Sequence, residues 1–457
     1  MQSKVKIRQV LFPEKAFWND LIKFTIPIAL QNLTTSLFGI LDVSIISSMG
    51  EMAVSSVSIA NQVSYISNNV TFGITSGASV LLSRCYGAKD REGFKKAFTI
   101  MLLLSTLLNT LITVASFCLP RQILGLYIDD RELIAQGAIY LVITAITNVF
   151  YGISSSIVSF FRSVKLPSIP LYAALGTVAV KTTLNVFLIY GIGPVPAMGI
   201  AGAAIATLLA KTVELLIYLF FLMRFKEKEY CFALQDLQRL NKGEVKGFIR
   251  ETAPVIINES MWVIGQSSFQ MIFGRMGVTA VSAVSVARQL ENFCNSFFYG
   301  IGIGGCVSIS TMLGAKQYEE AKLAARRYAL AGFEMGVFIM LLMLGINRIY
   351  VTTFFSDLTS ETQLVTRELI AVYALYMPFR SMASAMIMGS LRGGGDAVKA
   401  MFYDVLPIYV WSLPLGFLLA MVFHLPITVV LAVMQFKRVI KCGFAFRRML
   451  SDQWIKV

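Results

Sequence analysis

The sequence predicts an all-α integral membrane protein: twelve transmembrane helices in two pseudo-symmetric six-helix bundles, repeated in parallel as 6 + 6. Three observations carry this. Residues 24–41, 52–83, 97–120, 133–161 and 182–210 contain no Asp, Glu, Lys or Arg, and each run reaches or approaches the ~20 residues a helix needs to cross ~30 Å of hydrocarbon. Lys and Arg gather in every second connection between the spans, as the positive-inside rule requires. The second half of the chain also repeats the first at an offset of 227 residues.

Composition excludes most other classes. Of 457 residues, 56% are hydrophobic and 14% are charged, and the mean hydropathy is +0.69; an ordinary soluble domain carries about 25% charged residues. The single His, His424, and six Cys (85, 118, 231, 294, 306, 442) form no CxxC pair and no Cys/His ligand spacing. A zinc site, a disulfide framework and a Cys/His nucleophile therefore lose support. The formal charge of +14 does not mark a nucleic-acid binder, because the basic residues lie between long uncharged runs instead of covering one solvated face.

The spans follow in order. Lys4, Lys6, Arg8, Lys15 and Lys23 precede an apolar run too long for a signal-peptide core and without a small-residue cleavage site, so the first helix is expected to stay in the mature protein. The first half then has spans at 24–41, 52–83, 97–120, 133–161, 166–190 and 196–223. With one or two internal charges allowed, the second half has spans at about 252–274, 279–313, 328–347, 369–391, 400–423 and 424–446. Twelve spans put both termini on one side. If that side is the cytosol, inner segments hold 31 of the 40 Lys and Arg, and outer loops hold only Arg121, Arg131, Arg275, Arg348 and Arg367. Lys181, Lys211, Arg288 and Arg380 fall within spans. A multi-pass protein of the plasma membrane with cytosolic termini is expected.

At the repeat offset, residues 53–89 align with 280–316 without a gap and 16 of 37 positions are identical. Pro27 pairs with Pro254, Met49 with Met276 and Gly50 with Gly277. The expected organisation is a first lobe at 1–223, a cytosolic tether at 224–251 with seven basic and five acidic residues, and a second lobe at 252–457. A parallel repeat implies lobes related by an axis along the membrane normal, with the substrate path between them.

Several segments carry a family resemblance: PIALQNLTTSLFGILD at 27–42, the YGAK and LGAK ends of spans 2 and 8, LNVFLIYG at 184–191 and MGIAGAAIAT at 198–207. PVIINESMW at 254–262, LRGGGD at 391–396 and DQWIKV at the C-terminus complete the set. In this order they resemble the multidrug and toxic compound extrusion (MATE) family, over nearly the whole chain. The resemblance implies a secondary transporter that exchanges drugs for a cation by alternating access, and not an enzyme.

Polar groups within the spans supply the candidate residues, since stranding a charge in hydrocarbon costs at least ~2.5–3.5 kcal/mol. Asp42 lies 18 residues past Phe24, and Asn185 lies 18 past Pro167 on a span entering from the same side. Both therefore reach about 27 Å along their helices and should sit at similar depth. The resemblance places a coupling carboxylate at Asp42, a second acid in several members at Asn185, and Asn where this chain has Lys181. The bland reading of Asp42 is a cap at the outer interface. Lys181 either pairs with Asp42 and holds it ionised or faces lipid and snorkels outward.

In the second lobe, Arg380 lies eleven residues from each end of the run 369–391, near the midplane. Relatives carry a positive charge after a Pro-Phe like Pro378-Phe379. Glu259 is its expected partner and Asp404 a weaker one. The resemblance puts a functional Glu in one branch where this chain has Trp262, so Glu259 reads equally as a structural counter-ion. Lys211 with Glu214 and Arg288 with Glu291 are expected to neutralise each other at i, i+3. His424 reads as a solvated loop residue.

The reading that follows is export of amphipathic, often cationic small molecules by a monomer that needs no cofactor. Its partners are the bilayer and the drug, with no nucleic acid. Protons are the expected driving ion; sodium is the alternative, held by Asp42, Asn185 and hydroxyls such as that of Ser36. Phe and Met lining a cleft would suit flat cations. The rival is a flippase of lipid-linked saccharides or peptidoglycan precursors, for which Lys181, Lys211 and Arg380 would meet a pyrophosphate.

Overall fold

A computed structural model of the chain describes residues 14–47, 51–128, 130–191, 196–225, 230, 240–355 and 359–456. Lys4, Lys6, Arg8 and residues 226–229 and 231–239 of the predicted tether lie outside the described residues. No strand occurs among those described. The first half contains α1 (Lys15–Ser47), α2 (Glu51–Gly87), α3 (Arg91–Cys118), the short α4 (Pro120–Gly125), α5 (Arg131–Ser163), α6 (Ser168–Tyr190) and α7 (Gly199–Arg224). The second contains α8 (Lys242–Arg275), α9 (Val278–Gly314), α10 (Tyr318–Phe354), α11 (Ser360–Leu375), α12 (Met377–Ser384), α13 (Ala397–Pro407), α14 (Leu413–Phe417), α15 (Ile427–Gln435) and α16 (Lys437–Leu450). Three π-helical stretches, Ala385–Leu391, Ile408–Ser412 and Leu418–Val422, join pieces of the second set.

Among the described residues, seven helices are long and apolar enough to cross a membrane, and eight if the pair Ser360–Leu375 and Met377–Arg392, bent by 44°, counts as one span. Helices α1, α2 and α8 and the α15–α16 pair complete twelve. The more polar helices α2 and α8 carry the runs of Ser, Thr, Asn and Gly that serve helix packing where lipid offers no hydrophobic drive. On α3, Leu103, Leu107, Leu111 and Val114 are 42%, 57%, 60% and 52% exposed at i, i+4, i+8 and i+11. A soluble helix would bury this stripe; in a bilayer it meets acyl chains.

Contacts divide the chain into two compact units, one of residues 30–86 and 90–256, the other of the chain up to Ala29, residues 87–89 and residues 257–457. The breaks Ala29/Leu30 and Ile256/Ile257 are themselves 227 residues apart. Each follows its helix's internal proline, Pro27 or Pro254, which removes a backbone donor and loosens the ladder there. Helices α1 and α8 thus change units at equivalent points.

In the first unit, α3 packs on α5, α5 on α7 and α6 on α7. Asp90 starts α3 by accepting the Gly93 N–H at 2.9 Å, and Asp130 starts α5 by accepting those of Glu132 and Leu133. Gly152 of α5 lies where a Cβ would come within 2.8 Å of the Ser105 carbonyl on α3, so glycine sets how closely these helices approach. A polar seam runs beside this contact: Ser67 donates to Asn109 Oδ1 at 2.6 Å and Asn109 Nδ2 donates to Thr71 at 2.8 Å. Phe94, Phe98, Phe160, Phe161 and Tyr218, all fully buried, form an aromatic core, with Phe94 and Phe160 edge to face at 5.5 Å.

In the second unit, α10 packs on α12, and α9 packs on α11 and on the π stretch Ala385–Leu391. Pro407 and Pro414 bracket the π stretch Ile408–Ser412; each lacks an N–H, and the hydrogen-bond ladder slips register between them. Residues 452–456 fold onto LRGGGD. Trp454 is fully buried, and a Cβ on Gly394 would fall 2.6 Å from the Trp454 carbonyl. Lys456 N–H donates to the Gly394 carbonyl at 2.9 Å. Asp396, 0% exposed, receives Arg448 at 2.8 Å and Lys456 Nζ at 2.6 Å, which ties the C-terminal segment to this unit.

Candidate functional site

Three predicted polar residues of the first unit meet. The Asp42 carboxylate on α1 accepts Lys181 Nζ on Oδ2 at 3.1 Å and Asn185 Nδ2 on Oδ1 at 2.7 Å. Lys181 and Asn185 stand four apart on α6, one turn of one face. The helix is free to present them because Gly191, at φ +73, ends it in a left-handed turn. Side-chain exposure is 13% for Asp42 and 11% for Lys181. Of the two fates open to Lys181, the ion pair is the one found. Asn185 is fully buried, and its Oδ1 has no hydrogen-bond partner, so an oxygen acceptor lies beside the carboxylate. Ser36 is exposed and takes no part in these bonds. Elsewhere in the unit Lys211 meets Glu214 at 2.5 Å, as their spacing requires.

The second unit encloses a cavity of about 150 Å³, and Glu259, Arg380 and Asp404 all line it. Their pairing corrects the sequence expectation. Glu259 is bound by Arg392 at 2.8 Å, and Arg380 binds Glu291. Asp404 takes Lys441 at 2.6 Å and the Asn258 amide at 3.1 Å. Depth is the physical reason. Glu291 lies twelve residues into its span and Arg380 eleven into its own, about 16–18 Å from the same end, whereas Glu259 lies only seven residues into its span, near the end where Arg392 stands. The expected Arg288–Glu291 neutralisation is replaced as well: Glu291 receives Arg380 and Arg438, and Arg288 lines the cavity with no carboxylate in ion-pair range among the described residues.

Arg392, Lys437, Arg438 and Lys441 were all counted with the cytosolic charges, yet they are 3%, 5%, 5% and 8% exposed. A signal for α16 was present. Its Lys437, Arg438, Lys441, Cys442, Ala445 and Met449 are buried, while Phe444, Phe446 and Leu450 are 41–48% exposed. The helix is amphipathic with its basic stripe turned inward, which suits a helix whose outer face meets lipid. The cavity wall therefore holds three acids against six cations: Arg288, Arg380, Arg392, Lys437, Arg438 and Lys441.

Comparison with known proteins agrees with this architecture. The MatE family model matches residues 27–190 and 254–431, two segments that begin at the paired prolines. The chain is 21% identical over 406 residues to YoeA of Bacillus subtilis, described as a probable multidrug resistance protein, covering 88% of this chain and 87% of that one. It is 21% identical over 412 residues to the multidrug resistance protein NorM of Vibrio cholerae, covering 88% and 87%. Among solved structures, a mutant of the Vibrio cholerae MATE transporter VcmN superposes with a TM-score of 0.86 at 17% identity, covering 95% of this chain and 97% of that one. An outward-facing multidrug resistance transporter of the family superposes at 0.84 and 16%, covering 95% and 96%.

Proposed function

The chain belongs to the MATE family of multidrug efflux transporters, and we propose that it works as a cation-coupled antiporter in which Asp42 holds the coupling ion and the cargo is an amphipathic small molecule. One observation carries this reading: the largely buried Asp42 carboxylate is paired with the Lys181 ammonium, a partner that an incoming cation would have to displace. A proton arriving on Asp42 removes the attraction that holds Lys181. The released ammonium, largely buried, then costs several kcal/mol unless it moves, so ion binding drives α6 relative to α1. A cation coordinated by Asp42 and Asn185 Oδ1 would displace Lys181 in the same way, which keeps sodium as the alternative to the proton.

Antiport requires that ion and drug disfavour each other's binding, with equal penalties by linkage. Alternating access follows if the ion-bound and drug-bound forms prefer opposite openings of the two lobes. The direct test is proteoliposome efflux with proton and sodium gradients imposed separately. Asp42→Asn should reach the membrane in normal amount and lose gradient-driven efflux by about a hundredfold or more, as expected when the coupling group itself is removed. Undiminished efflux in Asp42→Asn would place the coupling group elsewhere.

The proposed setting is the plasma membrane, as a monomer, with both termini in the cytosol. Cysteines introduced at Asp130 and Ser360 should react with an impermeant thiol reagent from outside, and those at Lys242 and Lys322 should not. The opposite labelling would invert the orientation.

A further inference from the structure

We propose that the cavity of the second unit is an anion site that takes a carboxylate or phosphate carried on a small aromatic or apolar body, with Lys437 and Arg438 as its principal contacts. The proposal names a cargo class for the exporter and rests on the export reading only in treating the ligand as cargo.

The charge on the cavity wall is not closed from within. Glu259, Glu291 and Asp404 are each paired, and these pairs engage Arg392, Arg380, Arg438 and Lys441. Two cations remain. Arg288 is half-buried. Lys437 is 5% exposed and has no carboxylate within ion-pair distance among the described residues; its ammonium rests on the Phe269 ring, 3.8 Å from the centroid. An aromatic face attracts a cation but accepts none of its three N–H bonds. Arg438 adds an orphan donor: one nitrogen reaches Glu291, while Nη1 is buried and has no partner.

A buried donor without an acceptor, as Arg438 Nη1 is, beside a lysine without a carboxylate partner is costly unless an acceptor is supplied, and the three carboxylates of the wall are already engaged. An anion would satisfy Lys437 Nζ and Arg438 Nη1 together, and guanidinium matches the planar fork of a carboxylate or phosphate. The remaining wall sets the body of the ligand. Trp262, Phe269, Phe273, Phe298 and Tyr373 line the same space, and about 150 Å³ is the size of an engineered apolar cavity that admits benzene. The Asn295 and Gln435 carboxamides each leave an oxygen unused and accept a hydroxyl or amide on the ligand.

The probe series keeps one ring and changes its charge: benzoate, benzylammonium and benzyl alcohol, with binding read by ligand-observed NMR on the full chain in phosphatidylcholine nanodiscs. Benzoate should bind about tenfold or more tightly than either of the others. Lys437→Met should remove that preference, and Lys437→Arg should retain it. Equal binding of the three, preference for benzylammonium, no binding of benzoate, or a preference that survives Lys437→Met would each overturn the proposal. If Lys437→Met cannot be recovered folded, the charge series on the native chain decides alone.

A second arm uses phosphatidylglycerol nanodiscs. Displacement of benzoate there assigns the site to a lipid phosphate, and undiminished binding assigns it to a soluble anion. No gradient enters the measurement, so a failed coupling reading would leave this result standing, and the converse also holds.

Discussion

In the first unit one carboxylate, Asp42, meets one ammonium, Lys181, and one amide, Asn185; in the second, three carboxylates are set among six cations. The repeat sharpens the contrast. Phe269 occupies the position equivalent to Asp42 at the offset of 227, and there too a lysine arrives, Lys437, stacked on the ring instead of paired with a carboxylate. The backbones differ in the same sense. Among the described residues the three π stretches all belong to the second unit, and one of them, Ala385–Leu391, supplies Ile387 to the cavity wall. An acid with a single ionic partner can change state by losing that partner. An acid held by two arginines cannot, because neither guanidinium gives up its proton. Glu291 is held in this way, whereas Asp42, like Glu259 and Asp404, has one ionic partner.

The largest effect should come from breaking the fixed network. Glu291→Gln leaves Arg380 and Arg438 facing each other without a counter-ion, and loss of one member of a buried pair costs about 3–5 kcal/mol. Thermal unfolding in detergent should fall by roughly 10 °C, and adding Arg380→Met should restore part of it. An unchanged midpoint in Glu291→Gln would show that these charges are hydrated, and the contrast between the units would lapse.

Lys181→Met should cost less, about 1–2 kcal/mol, because Asp42 keeps its bond from Asn185 and can take up a proton in place of the lysine. A loss as large as that of Glu291→Gln would mean that Asp42 is as fixed as Glu291. The inner latch is more local. Gly394→Ala forces a methyl onto Trp454 and should cost about 1–3 kcal/mol, read as faster proteolysis of the C-terminus with ligand binding intact. Lys211→Met should be smallest: the Lys211–Glu214 pair is 34% and 14% exposed on its two sides, and such i, i+3 pairs contribute about 0.5 kcal/mol or less. A change above about 1 kcal/mol would give that pair a role beyond its helix.

The meeting of Asp42 with Asn185 was legible because depth along two helices entering from the same side is arithmetic on sequence position. The same arithmetic puts Glu291 and Arg380 at similar depth, although Glu259 was the partner expected. The buried basic residues were harder to place. A count of Lys and Arg assigns them to a side of the membrane, yet it says nothing about whether a charge faces water or the interior of its own bundle, where Arg392, Lys437, Arg438 and Lys441 are found.

Sequence alone determined the class, the number of spans, the repeat and its two prolines, because hydrophobic length and charge asymmetry are local properties that the bilayer reads directly. Tertiary structure decided which charges pair between helices. Lys181 was left between lipid and Asp42 until the rotation of α6 about its axis was fixed, and no periodicity in a uniformly apolar helix states that rotation. The second cavity depended on more: the 44° bend before Met377, the π stretches that shift register, and the inward turn of the basic stripe on α16. These are settled by packing between helices distant in sequence, where the cost of an unpaired charge selects one arrangement among many that the sequence pattern allows.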